Sequence, residues 1–396
     1  MTHPTADSDG LARVPGKFSD ACDGHDRVRV SRPSGRGAWS LALLLMMVNA
    51  ACGGYRPAPD FDPGDLQEPH ALEGTPLTRL WRSRPVRSPS APLALDGTNV
   101  YLGGSDRRVV AVDLASGKTR WSVRVSGPLV GGMLVRDSLV FVATDRPGGK
   151  VYGFNAVSGN EAWSRGTGYV QAPLLALGHQ IIVLTRTGRM LALDAANGKE
   201  RWRRGIASNK VAPVALDSLH FAVTSYDSVY RVRLTDGKVL ERQKSPGTVV
   251  SSWVRVGNYI VASTADSQVV ALTTDSLTLA WSARLDAPAL TTPAVEGDTL
   301  FALTRTGSLY RITDGGTPRP SQLGSAAWAA TGAPAIIGPW LVAGASDGTL
   351  RGFDPADGSE RWHVPMGRPF ELAPVPLPDG SFLAVGGRGD LHRIQP

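Results

Sequence analysis

Tryptophan recurs along this chain at a spacing that few folds accommodate. Trp81, Trp121, Trp163, Trp202, Trp281 and Trp362 fall on one period, with Glu241 and Gln322 in the two vacant places, and successive steps run from 39 to 42 residues. Proline follows the same period at Pro92, Pro128, Pro173, Pro213, Pro293, Pro334 and Pro374, with Ser252 in the gap. Both markers count eight units. A period near forty residues means that each unit is one supersecondary module that buries its faces against its neighbours. The alternative β-helices use far shorter periods.

Each unit holds four short strand-like runs. From Pro173 to Trp202 these are 174–177, 180–185, 189–193 and 200–204, the last carrying the tryptophan. Turns at Gly178-His179, Thr187-Gly188 and Ala196-Asn197-Gly198-Lys199 separate them, using residues that tolerate backbone angles others resist. Four strands per unit, repeated radially, predict an all-β, eight-bladed β-propeller of four-stranded blades. The repeated tryptophan supplies a large apolar block between blades. The last unit ends at Gly389-Asp390-Leu391-His392-Arg393-Ile394 without a tryptophan strand, whereas Leu80-Trp81-Arg82-Ser83 precedes any complete unit. Joining them predicts a ring closed by an N-terminal strand, which removes the open edges.

The region before the repeats reads as an address. Arg27, Arg29, Arg32 and Arg36 precede an apolar run over 37–48, followed by Ala50 and Ala51. This is the layout of a secretory signal. The run is well short of the ~20 residues a spanning helix needs. The expected organisation is a removed signal region at 1–51, a lipidated cysteine with a flexible tether at 52–76, and a propeller at 77–396. The tether is rich in Pro, Gly and Asp and has no periodicity.

Charge and cysteine narrow the function classes. The balance is 42 basic against 35 acidic residues, a net +7, too dilute over this length to argue for nucleic acid. Only 19% of residues are charged, which argues against a coiled coil. Two cysteines, Cys22 and Cys52, exclude a disulfide framework and any multi-cysteine metal centre.

Ala50-Ala51-Cys52-Gly53-Gly54 resembles the lipobox of bacterial lipoproteins, which implies diacylglycerol on the Cys52 thiol and cleavage before it. Asn49 departs from the small or aliphatic residue usual there. Gly53, in place of Asp, implies the outer membrane. The repeat itself has an aliphatic strand, a turn, Ala192-Leu193-Asp194, Asn197-Gly198-Lys199, two residues and Trp202. It resembles the pyrroloquinoline-quinone-like propeller repeat over residues 78–396. With lipobox, tether and eight blades, the chain is similar to the BamB family of outer-membrane β-barrel assembly lipoproteins. That resemblance implies a monomeric, non-enzymatic scaffold without cofactor, lipid-anchored in the outer membrane and facing the periplasm. It implies contact with the membrane through the lipid only, and a protein partner like the barrel-inserting BamA.

The same repeat also occurs in quinoprotein dehydrogenases, so a periplasmic quinoprotein or small-ligand-binding propeller is the alternative. Those enzymes carry adjacent cysteines over the quinone, and this chain has no cysteine pair. Asp113, Asp194 and Asp354 recur in one turn slot, as turn hydrogen-bonders do. His179, His220, His363 and His392 occupy different slots, with no metal-ligand spacing. No catalytic residue and no metal site are expected.

In a propeller, the inter-blade loops share one face with the turns between second and third strands. Tyr169, Trp328 and Phe370 lie in those loops and break the repeat. They read either as partner contacts or as anchors into the local core. Arg186, Arg305 and Arg388 come from the turns of the same face, as do Arg107, Arg108 and Arg146, with Asp106, Asp145 and Asp390 among them. Partner binding is expected at Tyr169, Trp328, Phe370, Arg186, Arg305 and Arg388. Arg388-Gly389-Asp390 also spells an adhesion tripeptide, read here as an ordinary blade turn.

Overall fold

The computed structural model describes residues 55–56, 69–206, 210–313, 319–325, 331–366, 369–370 and 372–396. Eight antiparallel sheets follow one another along the chain, seven of them built on four consecutive strands. Among the described residues there is no helix. In blade 1 the strands run Ala94–Leu95, Asn99–Gly103, Arg108–Asp113 and Thr119–Arg124, from inner to outer. Blade 8 is assembled from both ends of the chain. Its inner strands are Val375–Pro376, Phe382–Val385 and Leu391–Gln395, and its outer strand is Thr78–Ser83. The expected ring closure is therefore present.

No single centre holds the ring together. Apolar side chains collect between blades: Tyr101 and Trp121 of blade 1 cluster with Val140 and Tyr152 of blade 2. Trp81, Leu383 and Leu391 of blade 8 cluster with Val100 and Val110 of blade 1. A blade alone could not bury its faces, so the ring forms as a unit.

At four junctions the indole completes the contact. Its Nε1 donates to a backbone carbonyl of the next blade: Trp81 to Leu114 at 2.9 Å, Trp121 to Ala156 at 2.8 Å, Trp163 to Ala195 at 3.0 Å and Trp202 to Leu234 at 2.7 Å. At three of these junctions, those of Trp121, Trp163 and Trp202, a glycine from the turn between third and fourth strands of the next blade lies against the ring. A Cβ at Gly198 would stand 2.4 Å from Trp163, and one at Gly237 2.5 Å from Trp202. Both glycines also hold a positive φ of 69°, so Asn197-Gly198-Lys199 needs glycine for two independent reasons. Across five of the sheets the tryptophan faces a small residue, Ala111, Gly153, Ala192, Ala271 or Gly352, whereas in blade 8 Trp81 faces Arg393.

The two vacant tryptophan places are filled differently. Arg231 stands opposite Glu241 and Arg311 opposite Ser321. Their guanidinium groups take over the reach into the next blade, Arg231 to the Thr274 carbonyl at 2.9 Å and Arg311 to that of Ala356 at 3.2 Å. In blade 6 the bulge has moved, and Leu323, not Gln322, meets the next glycine: a Cβ on Gly358 would lie 2.3 Å from it. One proline marker also shifts. Gly132, lying against Pro92 and Pro173, takes the place expected for Pro128.

Ions fasten the closing strand. Asp390 Oδ1 accepts from Arg82 Nη2 at 2.7 Å and Arg84 Nη2 at 2.9 Å. The segment read as a tether carries two short strands. Tyr55–Arg56 pairs with the outer strand of blade 1, and His70–Ala71 with that of blade 8. Cys52 and the signal region lie outside the described residues.

Candidate functional site

In blades 1, 2, 3, 5 and 6 the inter-blade loop is held by the turn of the blade it leads into. The backbone N–H of Arg186 donates to Tyr169 O at 3.0 Å, that of Asp145 to Pro128 O at 3.0 Å, and that of Arg305 to Pro288 O at 2.9 Å. Loops and turns therefore form one face, as expected from the repeat. The residue after the held carbonyl turns inward: Leu129 and Val170 are fully buried. The next turns outward, with Val130 exposed to 40% and Leu290 to 51%.

Two of the expected contacts come together. The Arg186 guanidinium lies 4.2 Å from the centre of the half-buried Tyr169 ring. This is cation–π geometry, worth about 0.5–1 kcal/mol at an exposed site. It holds a flat, amphipathic surface facing solvent. Arg305 and Arg388 are exposed in the turns of blades 6 and 8, away from this pair in the ring. Arg146 bends back to the Ser126 and Pro147 carbonyls. Asp390 of the adhesion-like tripeptide is bound by Arg82 and Arg84 and is not displayed.

Phe370 departs from the expectation of a contact residue. It is fully buried, in the same loop slot as Leu129. Gly344 makes room for it: a Cβ there would stand 2.3 Å from Phe370 Cβ, as one on Gly103 would stand 2.6 Å from Leu129. Phe370 anchors its loop in the core between blades 7 and 8. Trp328 lies outside the described residues.

One contact was not foreseen from the sequence. Tyr226 is exposed to 70% and is the one exposed aromatic among the described residues. It occupies the turn between His220–Ser225 and Ser228–Arg233 with a φ of 47°. Such turns ordinarily take Gly, Asn or Asp, and the aromatic in that place was the available signal. The turn belongs to blade 4, next to the blade of Arg186.

Histidines occupy separate surroundings. His220 Nδ1 is 2.8 Å from Asp217, and His363 Nδ1 is 2.8 Å from Glu360. Among the described residues no group of three or more His, Cys, Asp or Glu is placed to hold a metal ion.

A ring of eight four-stranded blades, joined by indoles, turn glycines and an N-terminal closing strand, defines a propeller of the pyrroloquinoline-quinone-like repeat class. The chain matches the family described as Outer membrane protein assembly factor BamB over residues 77–218 and 225–391, and it belongs to that family. The crystal structure of BamB from Moraxella catarrhalis is similar, with a TM-score of 0.69 at 16% identity over 81% of this chain and 100% of that one. So is that of the computationally designed Ika8 protein, with a TM-score of 0.65 at 16% identity over 79% and 98%. No curated protein is similar to the chain in sequence. An assembly factor and a designed protein thus share this ring, so the shape alone assigns no activity.

Proposed function

We propose that this protein is a non-enzymatic, monomeric scaffold of outer-membrane β-barrel assembly. In this reading it is anchored through a lipid on Cys52, faces the periplasm, and docks the periplasmic part of a BamA-like partner on its loop face. Family membership spanning every blade carries the reading. The loop face adds the chemistry of an interface. It combines Tyr169 stacked on Arg186, the exposed Tyr226, and exposed aliphatics at Val130 and Leu290. Arg305 and Arg388 stand as outlying charges. Aromatic and arginine anchors carry most of the energy of protein interfaces, and peripheral charges tune association rate and salt dependence.

The test is crosslinking and capture from intact outer membrane, read against a BamA-like protein and the abundance of outer-membrane barrels. Retained capture and lower barrel levels on deletion support the reading. Quinone absorbance and dehydrogenase turnover after incubation with pyrroloquinoline quinone and calcium would replace it with the enzyme reading. Separately, Cys52→Ala releases the protein into the soluble fraction if Cys52 is the anchor. Persistence in membranes at high salt contradicts that part.

A further inference from the structure

The first residue of the third strand is Arg108, Lys150 and Arg189 in blades 1 to 3, but Ser228, Gln268, Ser308, Thr349 and Leu391 in blades 4 to 8. Beside these cations, on the outer strands of the same three blades, stand Arg124, Arg165 and Arg204. All six are exposed. Arg108 and Arg124 are cross-strand partners, and neither has an acidic partner among the described residues. Like charges facing each other across a sheet are destabilising. Glu200 Oε2 lies 3.4 Å from Arg165 and 2.5 Å from Arg203, so blades 2 and 3 present one continuous surface on which cations outnumber carboxylates. The outer rim of blades 1 to 3 is a basic arc whose repulsion an external anion would relieve.

The path of the chain selects the anion. Tyr55 pairs with Val123 and Arg56 with Ser122, on the outer edge of blade 1 beside Arg124. Cys52 is three residues earlier, and an extended chain covers about 10 Å in three residues. We infer that the basic arc of blades 1 to 3, at the loop-face end of the third and outer strands, rests on an anionic phospholipid surface. This rests on the lipid-anchor reading of Cys52. A basic patch beside a lipid anchor adds electrostatic attraction to anionic lipid to the hydrophobic hold of the acyl chains.

The vesicle test needs no acylation, so it fails or succeeds independently of Cys52. Every core cluster lies within residues 72–394, so a chain from Gly53 to Pro396 retains the whole fold. It is mixed with vesicles of phosphatidylcholine alone or with about one third phosphatidylglycerol. The expected result is sedimentation with the anionic vesicles only, lost as salt rises. Each basic residue near such a surface is worth roughly fivefold in partitioning, so Arg124→Glu, Arg165→Glu and Arg204→Glu together weaken it about a hundredfold or more. Lys238→Glu, Lys244→Glu and Arg284→Glu, with the same change in charge on blades 4 and 5, leave binding within about threefold. Arg124→Glu faces Arg108 with an opposite charge, so the rim variant folds. The triple Gln variant gives a second reading and is weakened less than the Glu variant. Equal binding to neutral vesicles, equal loss in both Glu triples, or binding to polyglutamate but not to vesicles each overturns the inference.

Discussion

Glu241 and Leu277 have exchanged the sizes that tryptophan and glycine hold at neighbouring junctions. Glu241 stands at the tryptophan position of blade 4, opposite Arg231. Leu277 stands at the turn-glycine position of blade 5, fully buried, with a φ of 51°. A branched residue in the left-handed region costs on the order of 1 kcal/mol. It is held there because its side chain fills space that the indole leaves empty, within the cluster of Ile260, Val270 and Leu272. Arg231 meanwhile supplies the hydrogen bond that the indole would have made.

The exchange predicts a coupled pair. Glu241→Trp alone forces an indole against Leu277 and destabilises by about 1–3 kcal/mol. Leu277→Gly alone empties a buried leucine site and costs about 2–5 kcal/mol, less the relief of the positive φ. The double variant recreates the Trp–Gly contact and is more stable than the sum of the two by about 1 kcal/mol or more. Chemical denaturation of all four proteins measures the coupling. Strict additivity shows that the two positions do not share the space.

Acid weakens the ring at its seam. His392 is buried in the strand that pairs with the closing strand, opposite Arg82, and its Nδ1 has no hydrogen-bond partner. Burial first, then the charges of Arg79 and Arg82, hold its pKa down to about 3 from an ordinary 6.5. The unfolded chain therefore binds a proton below pH 6.5 that the folded one refuses until about pH 3. The contribution of His392 is complete above pH 6.5 and falls away towards pH 3, by a few kcal/mol. Burial pushes Asp390 upward, but hydrogen bonds from Arg82 and Arg84 outweigh it and leave the group below 3.8. Its contribution is complete above pH 3.8 and is lost below. Tm measured against pH is expected to decline from about 6.5 and steepen under 4, with His392→Leu flattening the upper part. A wild-type Tm constant from pH 7 to 4.5 contradicts the first half of this account.

Much of this architecture could be read beforehand, and the failures have physical causes. The tryptophan period marked the blades because an indole that must meet a carbonyl and a glycine of the next blade has to recur in one slot. The substitute arginines were equally visible, with Arg231 and Arg311 each ten residues before Glu241 and Ser321. Phe370 was misread because an aromatic off the repeat was weighed without its counterpart. Gly344 precedes it by 26 residues, as Gly103 precedes Leu129, and that pairing marks a core slot. Nothing local distinguishes Leu129 from Val130, yet one is buried and its neighbour is 40% exposed. Only the path of the loop over the blade decides between them.

Phe370→Ala is accordingly a stability variant. Removing a fully buried phenyl costs about 3–5 kcal/mol, and the packing against Gly344 limits how far the backbone can collapse into the space. Partner affinity measured on the folded fraction should remain at the wild-type level. Loss of binding with an unchanged Tm returns Phe370 to the working surface.

The converse holds for Tyr226 and the Tyr169–Arg186 pair. Tyr226 is 70% exposed and contributes little to any core, so Tyr226→Ala should leave stability within about 0.5 kcal/mol. If the loop face docks a partner, truncating a central aromatic there weakens binding by about 2 kcal/mol, near thirtyfold. Arg186 acts through Tyr169 as well as directly, because its guanidinium holds the ring from 4.2 Å. Arg186→Ala and Tyr169→Ala should therefore be non-additive in partner affinity, with a coupling of about 0.5–1 kcal/mol. Arg305→Ala, remote from the pair, should chiefly change association rate and salt dependence. The affinities are measured with the purified periplasmic part of the BamA-like partner, and Tm is measured in parallel. Wild-type affinity in both Tyr226→Ala and the Arg186–Tyr169 double variant, with the fold intact, would move the docking surface off this face.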